Sequence, residues 1–137
     1  MTAEFPLAVH ALVYLLHKQQ TVSSTELAEN ICTNPARVRK VLSKLCRSGL
    51  AVAHHGQGSG YSPAPAGAEV SLGAVLAALE ETPVSMNWRS GDIDRDCLVS
   101  SGMGAVMDGI YENLNAQCAG YLAQVTIGSI CTQIFGK

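Results

Sequence analysis

Apolar residues recur at helical spacing along most of the chain. In residues 3–18, Phe5, Leu7, Ala8, Ala11, Leu12, Leu15 and Leu16 fall on one broad face, which predicts an opening helix buried on that side. A short polar turn follows. Ser23, with Glu26 three residues on, then forms a capping-box pattern ahead of Leu27, Ala28 and Ile31, so a second helix is expected there. After the break at Cys32 and Thr33, Val38, Val41, Leu42 and Leu45 recur at i, i+3, i+4 and i+7 and define the buried stripe of a third helix over residues 34–47. Ser71 caps a fourth helix carrying Leu72, Val75, Leu76 and Leu79. A long one is expected over residues 102–124, and a last short one, capped by Thr126, over residues 127–135.

The third helix has the most distinctive outer face. Asn34 is a strong N-cap, and Pro35 sits at the first helical position, where its missing N–H costs nothing. Ala36, Lys40, Ser43 and Arg47 project opposite the apolar stripe, with Arg37 and Lys44 on one flank and Arg39 on the other. No acid within the helix interrupts these five cations. Such a helix can bury its back in a small domain and lay its front against a polyanion. Two short helices, a tight turn and a basic second helix constitute a helix-turn-helix pattern.

Gly49 ends that helix as a C′ residue. Residues 50–54 then alternate towards strand, residues 55–60 are a glycine-rich turn, and Tyr61 and Ser62 return as a second strand, which together predict a β-hairpin. The glycines do not make a nucleotide loop, because no Lys-Ser/Thr follows them and no helix opens behind them. From residue 84 to 101 the pattern dissolves into a loop rich in Gly, Ser and Asp. There Asp92, Asp94 and Asp96 alternate like the front of a calcium loop but lack its central glycine and terminal glutamate.

In the long helix, Met103, Val106, Met107, Ile110, Leu114, Cys118, Tyr121, Leu122 and Val125 lie near heptad spacing, a stripe suited to pairing with a copy of itself. Val106, Ile110, Leu114 and Tyr121 are the expected dimerisation contacts. Gly104, Gly109 and Gly120 each lower the helix's intrinsic stability by about 1 kcal/mol relative to alanine, so packing must hold it.

Composition sharpens this picture. The 137 residues allow one compact domain with an appendage, and a hydrophobic content of 47% exceeds what a single small core hides, which favours oligomerisation. Net charge is −2, but five Lys or Arg and no acid between Asn30 and Ala68 make that segment +5, while four cations and eleven acids leave the rest at −7. A basic head on an acidic body would meet DNA only through the head. The five cysteines, Cys32, Cys46, Cys97, Cys118 and Cys131, are odd in number and form no Cys-x-x-Cys pair. With no signal-peptide pattern at the start, this predicts a cytoplasmic protein with reduced thiols. No apolar run reaches the ~18 residues of a membrane span. His10 and His17, one heptad apart, read as partly exposed polar residues rather than metal ligands.

These elements together resemble a bacterial family of winged-helix repressors, the IscR/NsrR/CymR type. The resemblance covers nearly the whole chain and is most specific in the middle. There the family's Ala-Gly-Leu-Val followed by Arg-Gly-x-x-Gly-Gly-Tyr is matched by Ser48-Gly49-Leu50-Ala51 and His55-Gly56-Gln57-Gly58-Ser59-Gly60-Tyr61. It implies homodimers on palindromic operators in double-stranded DNA, with the basic helix in the major groove and the hairpin as a minor-groove wing. The fold class is then mainly α: a winged helix-turn-helix over residues 1–66, a connecting helix and loop over 67–100, and a dimerisation helix with a C-terminal helix over 101–137.

DNA contacts are expected from Asn34, Ala36, Arg37, Arg39, Lys40, Ser43, Lys44 and Arg47, and from His54, His55 and Gln57 in the wing. There are two departures from the family pattern. His55 stands where the family has its wing arginine, and the loop before the dimer helix has one cysteine, Cys97, where cluster-bearing members have three. A cluster needs several thiolates or equivalent ligands in one place, so no iron–sulfur cofactor and no other metal is expected. Cys97 is instead the candidate sensor thiol. Asp92, Asp94 and Asp96 are expected to raise its pKa, with Arg95 offsetting them in part. No cysteine has a His and acid arrangement around it, so no catalytic residue is expected. The rival reading is a protein-binding winged helix that never touches DNA.

Overall fold

A computed structural model describes residues 1–136. Six α-helices and one hairpin follow in the order α1 (Glu4–Lys18), α2 (Ser24–Ile31), α3 (Pro35–Arg47), β1 (Ala51–His54), β2 (Gly60–Pro63), α4 (Leu72–Ala78), α5 (Leu98–Leu122) and α6 (Ile127–Phe135), with a 3-10 turn at Gly67–Glu69. The architecture is mainly helical, a winged helix-turn-helix with a long helix near its C-terminus.

Local chemistry sets the helix ends of the head. Ser23 accepts a hydrogen bond from the Glu26 amide and Asn34 accepts one from the Arg37 amide, each satisfying an N-terminal donor. The capping box expected at Ser23 is only half formed. The Glu26 carboxylate does not turn back on the cap; it accepts from the Tyr14 hydroxyl at 2.7 Å and ties α2 to α1. At the end of α3, Gly49 takes φ +75°, its amide donates to the Cys46 carbonyl, and the Leu50 amide donates to the Leu45 carbonyl. That pair of bonds is a Schellman ending, which needs the left-handed residue that glycine supplies.

The core lies where α1 crosses α2 and α3. Ala8, Ala11 and Leu15 of α1, Leu27 of α2, and Val38, Val41, Leu42 and Leu45 of α3 are fully or almost fully buried. Burial of a side chain of this size contributes about 1.5–3 kcal/mol, enough to override the modest propensity of the valines for helix. Packing does not stop at residue 66. Val75, Leu76 and Leu79 of α4, Leu122 at the end of α5 and Ile127 of α6 belong to the same cluster. The capping box is complete at α6, where Thr126 and Ser129 bond each other's backbone.

The strands pair antiparallel, Ala51 with Pro63 through His54 with Gly60. Val22, in the turn between α1 and α2, adds a one-residue bridge to Tyr61 through bonds of 2.7 and 2.8 Å. The wing is thereby tied to the helical core rather than free of it.

The long helix begins at Leu98, four residues before the pattern suggested, with Cys97 at its N-cap. Leu98 and Val99 are exposed; Val99, seven residues before Val106, continues the apolar stripe, while Leu98 lies off it. The loop before it is not loose. Asn115 exchanges two 2.9 Å hydrogen bonds with the backbone of Val84, Arg89 pairs with Asp108 at 3.0 Å, and the Asp92 amide donates to the Ser100 carbonyl at 2.9 Å. Gly104 lies directly beneath the Arg89 guanidinium, where a Cβ would collide with it. The glycine that weakens the helix in isolation thus allows the loop to close over it.

Candidate nucleic-acid interface

Helix α3 presents Ala36, Arg37, Arg39, Lys40, Ser43 and Arg47 to solvent, while Val38, Val41, Leu42 and Leu45 are inside. Asn34 is exposed at the leading end, its side chain engaged as the cap. The front expected from sequence is therefore assembled and uncovered in the chain.

The flanks are less simple. Glu4, at the start of α1, reaches Lys44 at 2.9 Å and Lys40 at 3.2 Å. An acid that is absent from α3 itself thus partly neutralises two of its cations. The hydrogen bond from Lys44 holds the Glu4 carboxyl below the usual carboxylate range. Because the folded value is depressed, this tie contributes stability above the unfolded pKa and loses it as pH falls through the folded value. Its worth is small, as Lys40 is mostly exposed. Lys44 is half-buried against α1. Lys40, which also faces forward, and Arg47 remain directed to solvent.

On the other flank Arg39 donates to the Ser24 hydroxyl at 3.3 Å. It borders a cleft of about 340 Å³ with Ser23, His54, His55, Gly60 and Tyr61. The cleft joins the basic helix to the wing. His54 and His55 are exposed, and the His54 ring meets the Ser62 hydroxyl at 2.8 Å across the hairpin. Gln57 is exposed at the tip. Arg39, His54, His55 and Gln57 thus form a cationic and polar margin continuous with the front of α3, a surface suited to phosphates and groove edges.

The remaining residues singled out by the sequence lie elsewhere. Val106, Ile110, Leu114 and Tyr121 are between 42% and 67% exposed, so the chain's own head does not cover the stripe of α5. His10 meets Asn30 at 2.7 Å and His17 stacks on Phe135, so both rings have partners in the fold.

Cys97 departs from expectation in sign. Its pKa lies below the ordinary thiol value, because the backbone amides of Ser100 and Val99 at the start of α5 favour the thiolate. The neighbouring aspartates do not decide the sign: a helix N-terminus concentrates unpaired N–H groups, and these outweigh screened charges on an exposed loop. Burial pushes the Cys46 and Cys131 thiols up.

The match to known proteins agrees with this geometry. The model of a family described as Rrf2, iron-dependent transcriptional regulator, matches residues 1–133. The chain belongs to the Rrf2 family. The HTH-type transcriptional regulator IscR of Vibrio parahaemolyticus is 24% identical over 134 residues, covering 96% of this chain and 77% of that protein. A Lactobacillus plantarum protein assigned as a transcriptional regulator has a crystal structure that superposes with a TM-score of 0.84 at 24% identity, over 98% of this chain and 91% of that one. CymR, the global cysteine regulator of Bacillus subtilis, gives a TM-score of 0.70 at 14% identity over 97% and 96% of the two chains. The chain is a DNA-binding transcription regulator of winged-helix type and not an enzyme.

The family description raises iron, so the donor set must be compared with a cluster's needs. Among the described residues no three His, Cys, Asp or Glu side chains lie close enough to hold one ion together. Cys97 stands alone in the loop, exposed, and the other four cysteines lie outside it. The residues of one chain do not fit an iron–sulfur cluster. No helix among the described residues is long and apolar enough to cross a membrane.

Proposed function

We propose that this Rrf2 protein is a homodimeric repressor of a palindromic operator, acting in the cytoplasm without an iron–sulfur cluster. The observation that carries this reading is the uncovered front of α3, with the wing joined to it through Arg39. The exposed stripe of α5 supports the dimer. Two copies related by a two-fold axis would present two basic helices to half-sites spaced by about one helical turn, 10–10.5 bp, or a multiple of it. Selection of bound fragments from genomic DNA tests the reading and is expected to enrich an inverted repeat. Binding without sequence enrichment and insensitive to salt would instead make the head a protein-docking module.

The ion pairs on α3 rank its cations. Arg47→Ala is expected to weaken binding to every sequence and to reduce the salt slope by about one unit. Lys44→Ala is expected to do less, since Glu4 already occupies that ammonium. Titrations at several salt concentrations check both, and an Arg47→Ala slope equal to the wild type's would remove this face from the interface.

Cys97 is proposed as the thiol through which any redox signal enters. Brief alkylation at neutral pH is expected to label it well before Cys46 and Cys131, as read by peptide mass spectrometry. Oxidant-induced release from the operator should then vanish in Cys97→Ser, and an equal response in that variant would overturn the assignment.

A further inference from the structure

The two flanks of α3 differ in charge. On the wing side, the cleft beside Arg39 has no carboxylate in its lining among the described residues. On the side of α1 and α4, Arg37 and Lys44 share a cleft of about 350 Å³ with Glu4 and Glu81, and Lys44 and Arg47 border a second one with Glu80. Glu4 reaches the helix itself, at 2.9 Å from Lys44 and 3.2 Å from Lys40. We infer that Glu4 is a specificity-determining residue of the DNA-binding face: by withholding Lys40 and Lys44 from phosphates it weakens binding to random DNA more than binding to the operator. The inference rests on α3 being the face that meets DNA and names the residue that restrains it.

The fold holds Glu4 in this place. The Thr2 amide and hydroxyl both donate to the Glu81 carboxylate, at 2.6 and 2.9 Å, and the Glu4 amide donates to the Thr2 hydroxyl at 3.2 Å. The start of α1 is thereby tied to the end of α4, and the shared core sets both against α3. The Glu4 side chain is 20% exposed, against 67% for Lys40, so its charge is screened less than one on open surface. At the end of α4 the Glu80 amide donates to the Ala77 carbonyl and the Glu81 amide to the Leu76 carbonyl, a Schellman ending in which Glu80 takes φ +57°. The rim therefore carries an acid beside Lys44 and Arg47 at a backbone position where glycine would be free of strain.

Binding to random DNA comes almost entirely from counterions released when cations meet phosphates. A lysine paired with Glu4 adds little to that term unless the carboxylate is displaced, and a displaced carboxylate must itself be neutralised. The five cations of α3 therefore act on random DNA as about four. On the operator, base contacts from the front of α3 seat the helix deeper in the groove, and a phosphate can then take Lys40 from Glu4. The restraint thus falls mainly on wrong sequences, as a repulsive element does in other specific interfaces. Glu4 also lies in the first turn of α1, where a carboxylate favours the helix dipole, but that role alone leaves DNA binding untouched.

The test uses the full chain and two DNA probes, a random-sequence duplex and the genomic fragment most enriched by selection. Glu4→Gln keeps the size of the side chain and removes its charge, and urea denaturation checks that the variant is folded. It is expected to tighten binding to the random duplex about fivefold per head at about 0.15 M salt and to steepen the salt slope by about one unit per head, with a smaller gain on the enriched fragment. In the Lys44→Ala background the same substitution is expected to gain less, because one of the two ammoniums that it frees is gone. Equal gains on both probes, a gain undiminished in the Lys44→Ala background, or no gain on either probe while Arg47→Ala still weakens binding, each overturn the inference and leave α3 as the DNA-binding face. Binding unchanged in all three of Glu4→Gln, Lys44→Ala and Arg47→Ala would instead take α3 out of the interface, and the role of Glu4 with it.

Discussion

Ile110→Asp is expected to convert the protein to a monomer and to lower operator affinity by about 10²–10⁴. Ile110 sits near the middle of the α5 stripe and is 45% exposed in the single chain, so an aspartate there is solvated in the monomer. In a dimer it would become a carboxylate taken out of water without a partner, which costs several kcal/mol. No lysine or arginine on α5 could pair with it, because that helix carries none between Leu98 and Leu122. The fall in affinity follows from mass action. A dimer on a palindrome binds its second half-site at high effective concentration, and a monomer loses that factor. Sedimentation and a titration on the operator check the two halves of the claim. An Ile110→Asp protein that stays dimeric at micromolar concentration would move the interface off this stripe.

The parts of this molecule that sequence made legible are those decided within a few residues. Asn34 and Pro35 fix the start of α3 through one capping bond and one missing amide, and Gly49 fixes its end through φ. The period of Val38, Val41, Leu42 and Leu45 names the buried side, and the cations must then lie outside. What escaped depends on how elements cross. Glu4 meets Lys44 across 40 residues because the core sets α1 against α3, and nothing local to either announces it. The loop that reads as patternless is held by Asn115 on Val84 across 31 residues. Glu26 matched a capping box by spacing, yet Tyr14 offered its carboxylate a bond from another helix. For Cys97, counting nearby charges gave the wrong sign, because the helix was expected from residue 102, whereas it starts at Leu98 and brings its free backbone amides to the thiol.

Gly60→Ala is expected to cost about 2–5 kcal/mol of stability and to displace the wing, whereas Gly58→Ala two residues away is expected to cost about 1–2 kcal/mol at most. Both glycines have positive φ, +153° for Gly60 and +75° for Gly58, so each substitution carries backbone strain. Their surroundings differ. A Cβ on Gly58 at the wing tip meets nothing within 4 Å, while one on Gly60 would overlap the carbonyl of Val22. That carbonyl accepts the Tyr61 amide at 2.8 Å and is half of the bridge that ties the wing to the α1–α2 turn. To admit a methyl group the bridge must open, which strands two backbone groups and tilts β2 away from the head. The cleft shared by Arg39, His54 and His55 would lose its wall at the same time. Urea denaturation should separate the two variants, and the operator titration should show Gly60→Ala weakened beyond Gly58→Ala when both are fully folded. Equal stabilities would mean that the bridge at Val22 does not hold the wing.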